Sequence, residues 1–112
     1  MGGGIDFGEL AADAVRREVM EELGAELAEV RLLGVLENIF TYEGRPGHEI
    51  VFVFLGRFAD PALYEPDELR WTESDGTAWV ATWMPLVHFA PGGPPLYPVG
   101  IYEMLYEVMG MT

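Results

Sequence analysis

The sequence predicts an α+β fold, with one helix before the strands and a second helix after them. An N-terminal segment has apolar residues at helical spacing, two later runs are rich in aliphatic and aromatic residues, and a last helical pattern follows Pro98. A chain of 112 residues can bury one hydrophobic core but has no room for two. We therefore expect a single domain over residues 1–112.

The first predicted element is a helix that ends at Gly24, a residue typical of helix C-caps. Its apolar residues share one face, which would pack on a sheet, and they are Ala11, Ala14, Val15, Val19 and Leu23. Glu18, Glu21 and Glu22 share another face, with Glu18 and Glu22 ~6 Å apart along the axis. Like charges this close repel, and a bound Mg²⁺ or Mn²⁺ would remove that cost. The alternative is a solvated acidic face, which is typical of an isolated Glu-Glu pair.

The two apolar runs after this helix predict an antiparallel hairpin. Residues 30–42 form the first strand, 43–47 the turn and 48–58 the second strand. The second strand is almost continuously apolar, so we expect it to be covered on both faces. An acidic loop over 60–76, a third strand over 77–84, a Pro- and Gly-rich loop over 90–98 and a final helix over 99–109 complete the chain.

Residues 3–25 resemble the signature of the Nudix hydrolases. The signature positions are filled by Gly3, Glu9, Arg17, Glu18, Val19, Glu21, Glu22 and Gly24, and Ala25 is smaller than the usual aliphatic residue. The order of the later elements also resembles a Nudix domain, including a Trp-X-Pro-Leu turn at 83–86, so the resemblance covers the whole chain. It implies an α/β/α sandwich with a mixed sheet. It also implies Mg²⁺-dependent hydrolysis of a pyrophosphate bond in a nucleoside diphosphate linked to another moiety.

The resemblance implies roles for particular carboxylates. The positions of the metal ligands for Mg²⁺ or Mn²⁺ are matched by Glu18, Glu21 and Glu22. Glu21 is also a candidate catalytic residue. Arg17 would orient Glu9 through a salt bridge, although Glu21, four residues further on, is a competing intrahelical partner. The general base in the family often comes from a later loop.

Glu73 is our candidate for this base, and Glu68 is the next candidate. The alternative for each is a solvated loop carboxylate.

Gly3, Gly4, Tyr42 and Arg45 are our candidates for substrate contacts, and Phe40 and Trp71 are further aromatic positions. The backbone amides of Gly3 and Gly4 could face a phosphate, and Arg45 is one of few positive charges in an acidic chain. Tyr42 could stack on a nucleotide base, as could Phe40 and Trp71, although aromatic residues are more often part of a core. ADP-ribose, dinucleoside polyphosphates and nucleoside triphosphates all remain open as substrates.

The charge and composition limit the partners. The chain has six Arg and Lys residues together, nineteen acids and a net charge of −13, which argues against nonspecific binding to nucleic acid or to an anionic membrane. Cysteine is absent, so disulfides and zinc-thiolate sites are excluded. Neither a signal peptide nor a membrane span is apparent, and we expect a cytoplasmic protein.

The chain begins inside the Nudix signature, whereas Nudix domains normally place several strands before it. We therefore expect an N-terminally truncated form, and a homodimer that covers the apolar strands over 30–42 and 48–58. The missing strands also raise a second functional hypothesis, a catalytically impaired nucleotide-binding, metal-binding or oligomerisation module. The complete set of Arg17, Glu18, Glu21 and Glu22 argues against it.

Overall fold

The computed structural model describes residues 3–110 and confirms the α+β class. The helices and strands are α1 (Ala11–Leu23), β1 (Leu27–Tyr42), β2 (Arg45–Phe58), β3 (Glu68–Thr72), β4 (Ala78–Thr82) and α2 (Ile101–Leu105). Short 3-10 helices lie at Pro61–Tyr64 and Leu86–Phe89, and α2 continues as a π-helical turn over Tyr106–Gly110. Among the described residues, no helix is long and apolar enough to cross a membrane.

The described residues divide into two compact units. Residues 3–31 and 54–83 form the first unit, and residues 32–53 and 84–110 form the second. The β1–β2 hairpin is the two-stranded sheet that contributes to both units, while β3 and β4 form a separate two-stranded sheet in the first unit. The resemblance implied a mixed sheet, but both sheets within residues 3–110 are hairpins.

Helix α1 ends where its sequence predicted. Gly24 adopts the left-handed conformation, with φ 64° and ψ 25°, and its N–H donates to the carbonyl of Met20. The apolar face of α1 packs inward as expected, because Val19 is buried in a cluster with Ala25 and Leu27. This packing fixes which face of α1 carries the carboxylates.

The β3–β4 hairpin corrects the prediction of a continuous loop over 60–76. Leu69 pairs with Ala81 and Trp71 pairs with Trp79 in an antiparallel register. Along β3 the half-buried residues alternate with exposed ones. The acidic and proline-rich flanks hid this period of two, which is the pattern of a strand with one covered face. Because α1 contacts β3, the end of β3 brings the segment that begins at Glu73 toward the helix.

An apolar cavity of about 320 Å³ lies within the first unit. Val15 and Val19 of α1, Gly56 of β2 and Leu69 of β3 are among its lining residues. Trp83 lines it too, but its indole N–H is already bonded to the carbonyl of Leu63 at 3.2 Å. The cavity wall is therefore mainly hydrocarbon.

The second unit contains the tip of the β1–β2 hairpin. Its turn is only Glu43 and Gly44, both with positive φ, as in a type I′ turn, so β2 begins at Arg45 rather than after Gly47. The expectation that β2 is covered on both faces was wrong, because Ile50 is 57% exposed. The final helix is present but shorter than expected, since regular α-helix ends at Leu105.

Candidate functional site

Arg17 is the centre of an ion-pair network in the first unit. Its Nε donates to Oε2 of Glu9 at 2.9 Å, and its Nη2 donates to Oε1 of the same carboxylate at 3.0 Å. Two parallel bonds of this kind match the planar guanidinium to the carboxylate and fix their relative orientation. Glu9 lies in the loop before α1, so this pair ties the loop to the helix.

The same guanidinium also contacts two carboxylates of α1. Its Nη1 lies 3.0 Å from Oε1 of Glu18 and 3.3 Å from each carboxylate oxygen of Glu21. Arg17 therefore binds both of its predicted partners, Glu9 and Glu21, at the same time. Nη2 further donates to the carbonyl of Gly4 at 3.0 Å.

This network changes the ionisation of both partners in the central pair. The hydrogen bond from Arg17, followed by one from the backbone N–H of Asp6, lowers the pKa of Glu9. The bond to Glu9 is also the largest cause that raises the pKa of Arg17 above its ordinary value. Glu9 is consequently an ionised carboxylate at neutral pH, suited to holding Arg17 rather than to donating a proton.

Sequence reasoning missed Asp6 as a part of this network. Its N–H donates to Glu9 Oε1 at 3.1 Å, and its carboxylate lies 3.5 Å from Arg17 Nη2. The N–H of Glu9 donates in return to the carbonyl of Asp6, which closes a tight turn. The three-residue spacing between the two acids is the only sequence signal of that turn.

Glu22 differs from the other acids of α1. None of residues 3–110 forms a hydrogen bond or ion pair with its carboxylate. Burial is the largest cause that raises the pKa of Glu22; the charge of Glu18 adds to it, the positive charge of the N-terminus opposes it, and Glu73 and Glu21 add smaller contributions. Glu22 is also the acid of this helix face that Arg17 does not contact.

The two candidate bases differ in their surroundings. The charge of Glu73 contributes to the raised pKa of Glu22, so Glu73 lies within electrostatic range of that carboxylate. The backbone N–H of Glu73 donates to the carbonyl of Thr77, which holds the residue at the base of the β3–β4 turn. Glu68 instead pairs with Arg70 at 2.7 Å on the exposed side of β3.

Gly3 and Gly4 contact the network in different ways. A Cβ atom at Gly3 would collide with the carboxylate of Glu18, so Gly3 leaves the space in which that carboxylate lies. A Cβ at Gly4 would meet no atom within 4 Å, and the contribution of Gly4 is its carbonyl, which accepts from Arg17.

Tyr42 and Arg45, the other two predicted substrate contacts, flank the hairpin turn in the second unit. The side chain of Tyr42 is well exposed, and neither residue takes part in the contacts of Arg17.

The donor set of α1 fits a hard divalent cation in its chemistry. Glu18, Glu21 and Glu22 supply carboxylate oxygens, which Mg²⁺ and Mn²⁺ prefer, and burial, followed by the charge of Glu18, raises the pKa of Glu22. Within the described part of the chain, no three acidic or histidine side chains are arranged as they stand to hold a metal ion. Arg17 contacts Oε1 of Glu18 and both carboxylate oxygens of Glu21.

The chain was compared with known protein families, proteins and solved structures. The family profile described as NUDIX domain matches residues 1–99. The chain is also similar to a protein named RNA pyrophosphohydrolase from Hydrogenovibrio crunogenus (strain DSM 25203 / XCL-2), at 26% identity over 114 positions, which cover 91% of this chain and 69% of that protein. No solved structure gives a significant match.

Proposed function

Because the chain belongs to the Nudix family, whose members hydrolyse pyrophosphate bonds in nucleotides, we propose that it is a hydrolase dependent on Mg²⁺ or Mn²⁺. Its substrate is a nucleoside diphosphate linked to another moiety. The observation that carries this proposal is the network in which Arg17 joins Glu9 of the loop to Glu18 and Glu21 of α1, on the helix face that also carries Glu22.

In this proposal each carboxylate has a defined task. Glu18, Glu21 and Glu22 hold the cation, which when bound neutralises charge on the phosphoryl oxygens and lowers the pKa of a bound water. Arg17 and Glu9 hold the loop in place beside the helix.

Glu73 would accept a proton from a water molecule. The oxygen of that water attacks phosphorus, and the bond between phosphorus and the bridging oxygen of the pyrophosphate breaks. The place of Glu73 within electrostatic range of Glu22 favours it over Glu68, whose carboxylate is paired with Arg70.

The proposed substrate contacts are supported mainly by the sequence. The backbone N–H groups of Gly3 and Gly4 are proposed to face a phosphate, Arg45 to attract one, and the exposed ring of Tyr42 to stack on a base. A small nucleotide suits the charge of −13 better than a long polyanion does, since repulsion grows with the number of phosphates near the protein. The name of the relative adds RNA that carries a pyrophosphate as a further candidate.

A substrate panel with matched variants tests this function. ADP-ribose, dinucleoside polyphosphates, nucleoside triphosphates and RNA with a 5′ pyrophosphate are incubated with the protein and Mg²⁺ or Mn²⁺. We expect turnover of one small-nucleotide class, at least a hundredfold slower in Glu22→Gln, as for loss of one essential electrostatic contact. Glu26→Gln, the same change at an exposed residue just after α1, is the control and should keep the rate.

A second candidate function is a nucleotide-binding, metal-binding or oligomerisation module without turnover. The specific observation in its favour is the apolar surface of the β1–β2 hairpin, where Ile39 is 75% and Ile50 is 57% exposed, because such a surface suits association. Binding of Mn²⁺ or of a nucleotide by folded protein that hydrolyses none of the panel would select this candidate.

A further inference from the structure

We propose that Arg17 competes with the divalent cation for Glu18 and Glu21, so that the cation binds only as these carboxylates leave the guanidinium. The inference rests on the proposed function, because it concerns the same cation. It assigns Arg17 a second task beyond holding Glu9, as an internal positive charge that occupies the carboxylates while no cation is bound.

The two sides of the guanidinium are bound differently. Nε and Nη2 form the bidentate pair with Glu9 at 2.9 and 3.0 Å, which fixes the plane of the group. This pair also determines where Nη1 lies, between Glu18 and Glu21. Nη1 cannot move away while the pair with Glu9 persists, so the two helix carboxylates must be the groups that move.

The carboxylates differ in how firmly they are held. Both oxygens of Glu21 lie 3.3 Å from Nη1, at the long end of a hydrogen bond, and its side chain is 59% exposed. Glu18 is bound at 3.0 Å and is only 18% exposed, with Gly3 against its carboxylate. Glu21 is therefore the easier of the two to release.

Glu22 gives the cation a first point of attachment. Arg17 does not contact the carboxylate of Glu22, and none of residues 3–110 forms an ion pair with it. A cation at Glu22 would draw Glu18 and Glu21 away from Arg17, since all three share the helix face. Arg17 would then keep its pair with Glu9 and lose its contacts with Glu18 and Glu21.

The consequence is opposite to that of a purely structural arginine. If Arg17 only held Glu9, its removal would leave cation affinity unchanged or lower it. If Arg17 competes for the carboxylates, its removal raises the affinity, by about five- to tenfold for a unit charge at ~4 Å in a solvated site.

The test is a titration of the whole chain with Mn²⁺ alone, in which free Mn²⁺ is measured by electron paramagnetic resonance. Arg17→Gln is compared with wild type and with Arg16→Gln, the same charge change one residue earlier. Arg16 donates to the carbonyl of Leu27 rather than to an acid, so its variant reports the general effect of one lost positive charge. Circular dichroism confirms that all three proteins are folded.

We expect Arg17→Gln to bind Mn²⁺ at least fivefold more tightly than Arg16→Gln does. Equal or weaker binding by folded Arg17→Gln, with clear binding by wild type, would overturn the inference and leave the proposed function standing. Absence of Mn²⁺ binding in every protein would overturn both.

A measurement on wild type covers the case in which Arg17→Gln does not fold. In protein labelled with ¹⁵N-arginine, Mg²⁺ should speed rotation of the Arg17 Nη1 group, because Nη1 loses its partners, while Nη2 and Nε–H stay bonded to Glu9 and keep their signals. An Nη1 signal that stays unchanged at saturating Mg²⁺ would contradict the competition.

Discussion

At the scale of single residues, one arginine and one glycine organise the acidic face of α1. Arg17 binds Glu9, Glu18 and Glu21 together, and Gly3 leaves the space for Glu18. Glu22 stands outside this arrangement with a raised pKa. Within one short segment, the pKa of Glu9 is thus lowered and that of Glu22 is raised.

Glu9 and Glu22 predict opposite effects on stability in cation-free protein. The hydrogen bond from Arg17 lowers the pKa of Glu9, so ionised Glu9 stabilises the fold above its ordinary pKa of 4.5, and this is lost as the pH falls through the lower folded value. Burial and like charges raise the pKa of Glu22. Ionised Glu22 therefore destabilises the fold at neutral pH, and this cost disappears as the pH falls below its ordinary pKa of 4.5.

Urea unfolding in the presence of EDTA measures both effects. At about pH 7 we expect Glu9→Gln to be less stable than wild type and Glu22→Gln to be more stable, with both differences shrinking toward about pH 3. Glu26→Gln, at an exposed residue just after α1, should track wild type throughout. A Glu22→Gln protein that is less stable than wild type at neutral pH would contradict the raised pKa of Glu22.

Much of this arrangement follows from residue spacing, and part of it does not. The positions of Glu18, Glu21 and Glu22 on one face follow from the helical period, and the competition of two acids for Arg17 follows from its distance to Glu21. The contact of Gly3 with Glu18 depends on how the loop folds back on the helix. No local pattern specifies such a return, so the contact was not predicted from the sequence.

At the scale of elements, predictions succeeded where a segment has one clear period. The end of α1 at Gly24 and the long β1–β2 hairpin were both predicted, because their signals are a C-cap glycine and extended apolar runs. β3 was missed, since its five residues lie between acidic and proline-rich flanks. Its strand conformation depends on pairing with β4 and on contact with α1, which are interactions between distant residues.

The apolar cavity beside α1 predicts that added volume stabilises the first unit. A Cβ at Gly56 would lie 3.5 Å from a methyl of Leu27, an ordinary contact, in a strand that lines the cavity. We expect Gly56→Ala to raise the free energy of unfolding by about 0.5–1 kcal/mol, from reduced backbone entropy in the unfolded chain and from burial of one methyl group.

Gly44→Ala is the matched comparison for this change. It adds the same methyl group at a residue with φ 77°, where a side chain is strained, and it should lower stability by about 1 kcal/mol. Urea unfolding of both variants is the measurement. A destabilised Gly56→Ala would mean that the region around Leu27 is packed more tightly than the cavity indicates.

At the scale of the whole molecule, charge and apolar surface act against each other. The chain carries a net charge of −13, yet the hairpin exposes large apolar side chains such as Ile39 at 75% and Ile50 at 57%. Apolar surface of this kind favours association, whereas the net charge opposes the approach of a second copy. The proposed homodimer should therefore depend on ionic strength.

We predict that the dimer fraction rises with salt, because ions screen the repulsion while burial of apolar surface is unaffected or strengthened. Size-exclusion chromatography with light scattering, at micromolar protein in low and in high NaCl, measures it. Ile50→Asp should abolish the dimer. Val87→Asp, at a residue that is 73% exposed outside the hairpin, is the control and should preserve it. A monomer under every condition would contradict the proposal.

The β3–β4 hairpin also contains an optical signal of its own. Trp71 and Trp79 stack across its two strands with ring centroids 6.4 Å apart and planes 18° apart. The strong indole transitions couple at this distance, so the pair should give a far-ultraviolet circular dichroism couplet that requires both strands to be in register. Trp83 lies among Phe58 and Tyr64 and gives a separate signal. The formation of this hairpin could therefore be followed in the unlabelled protein, independently of the rest of the chain.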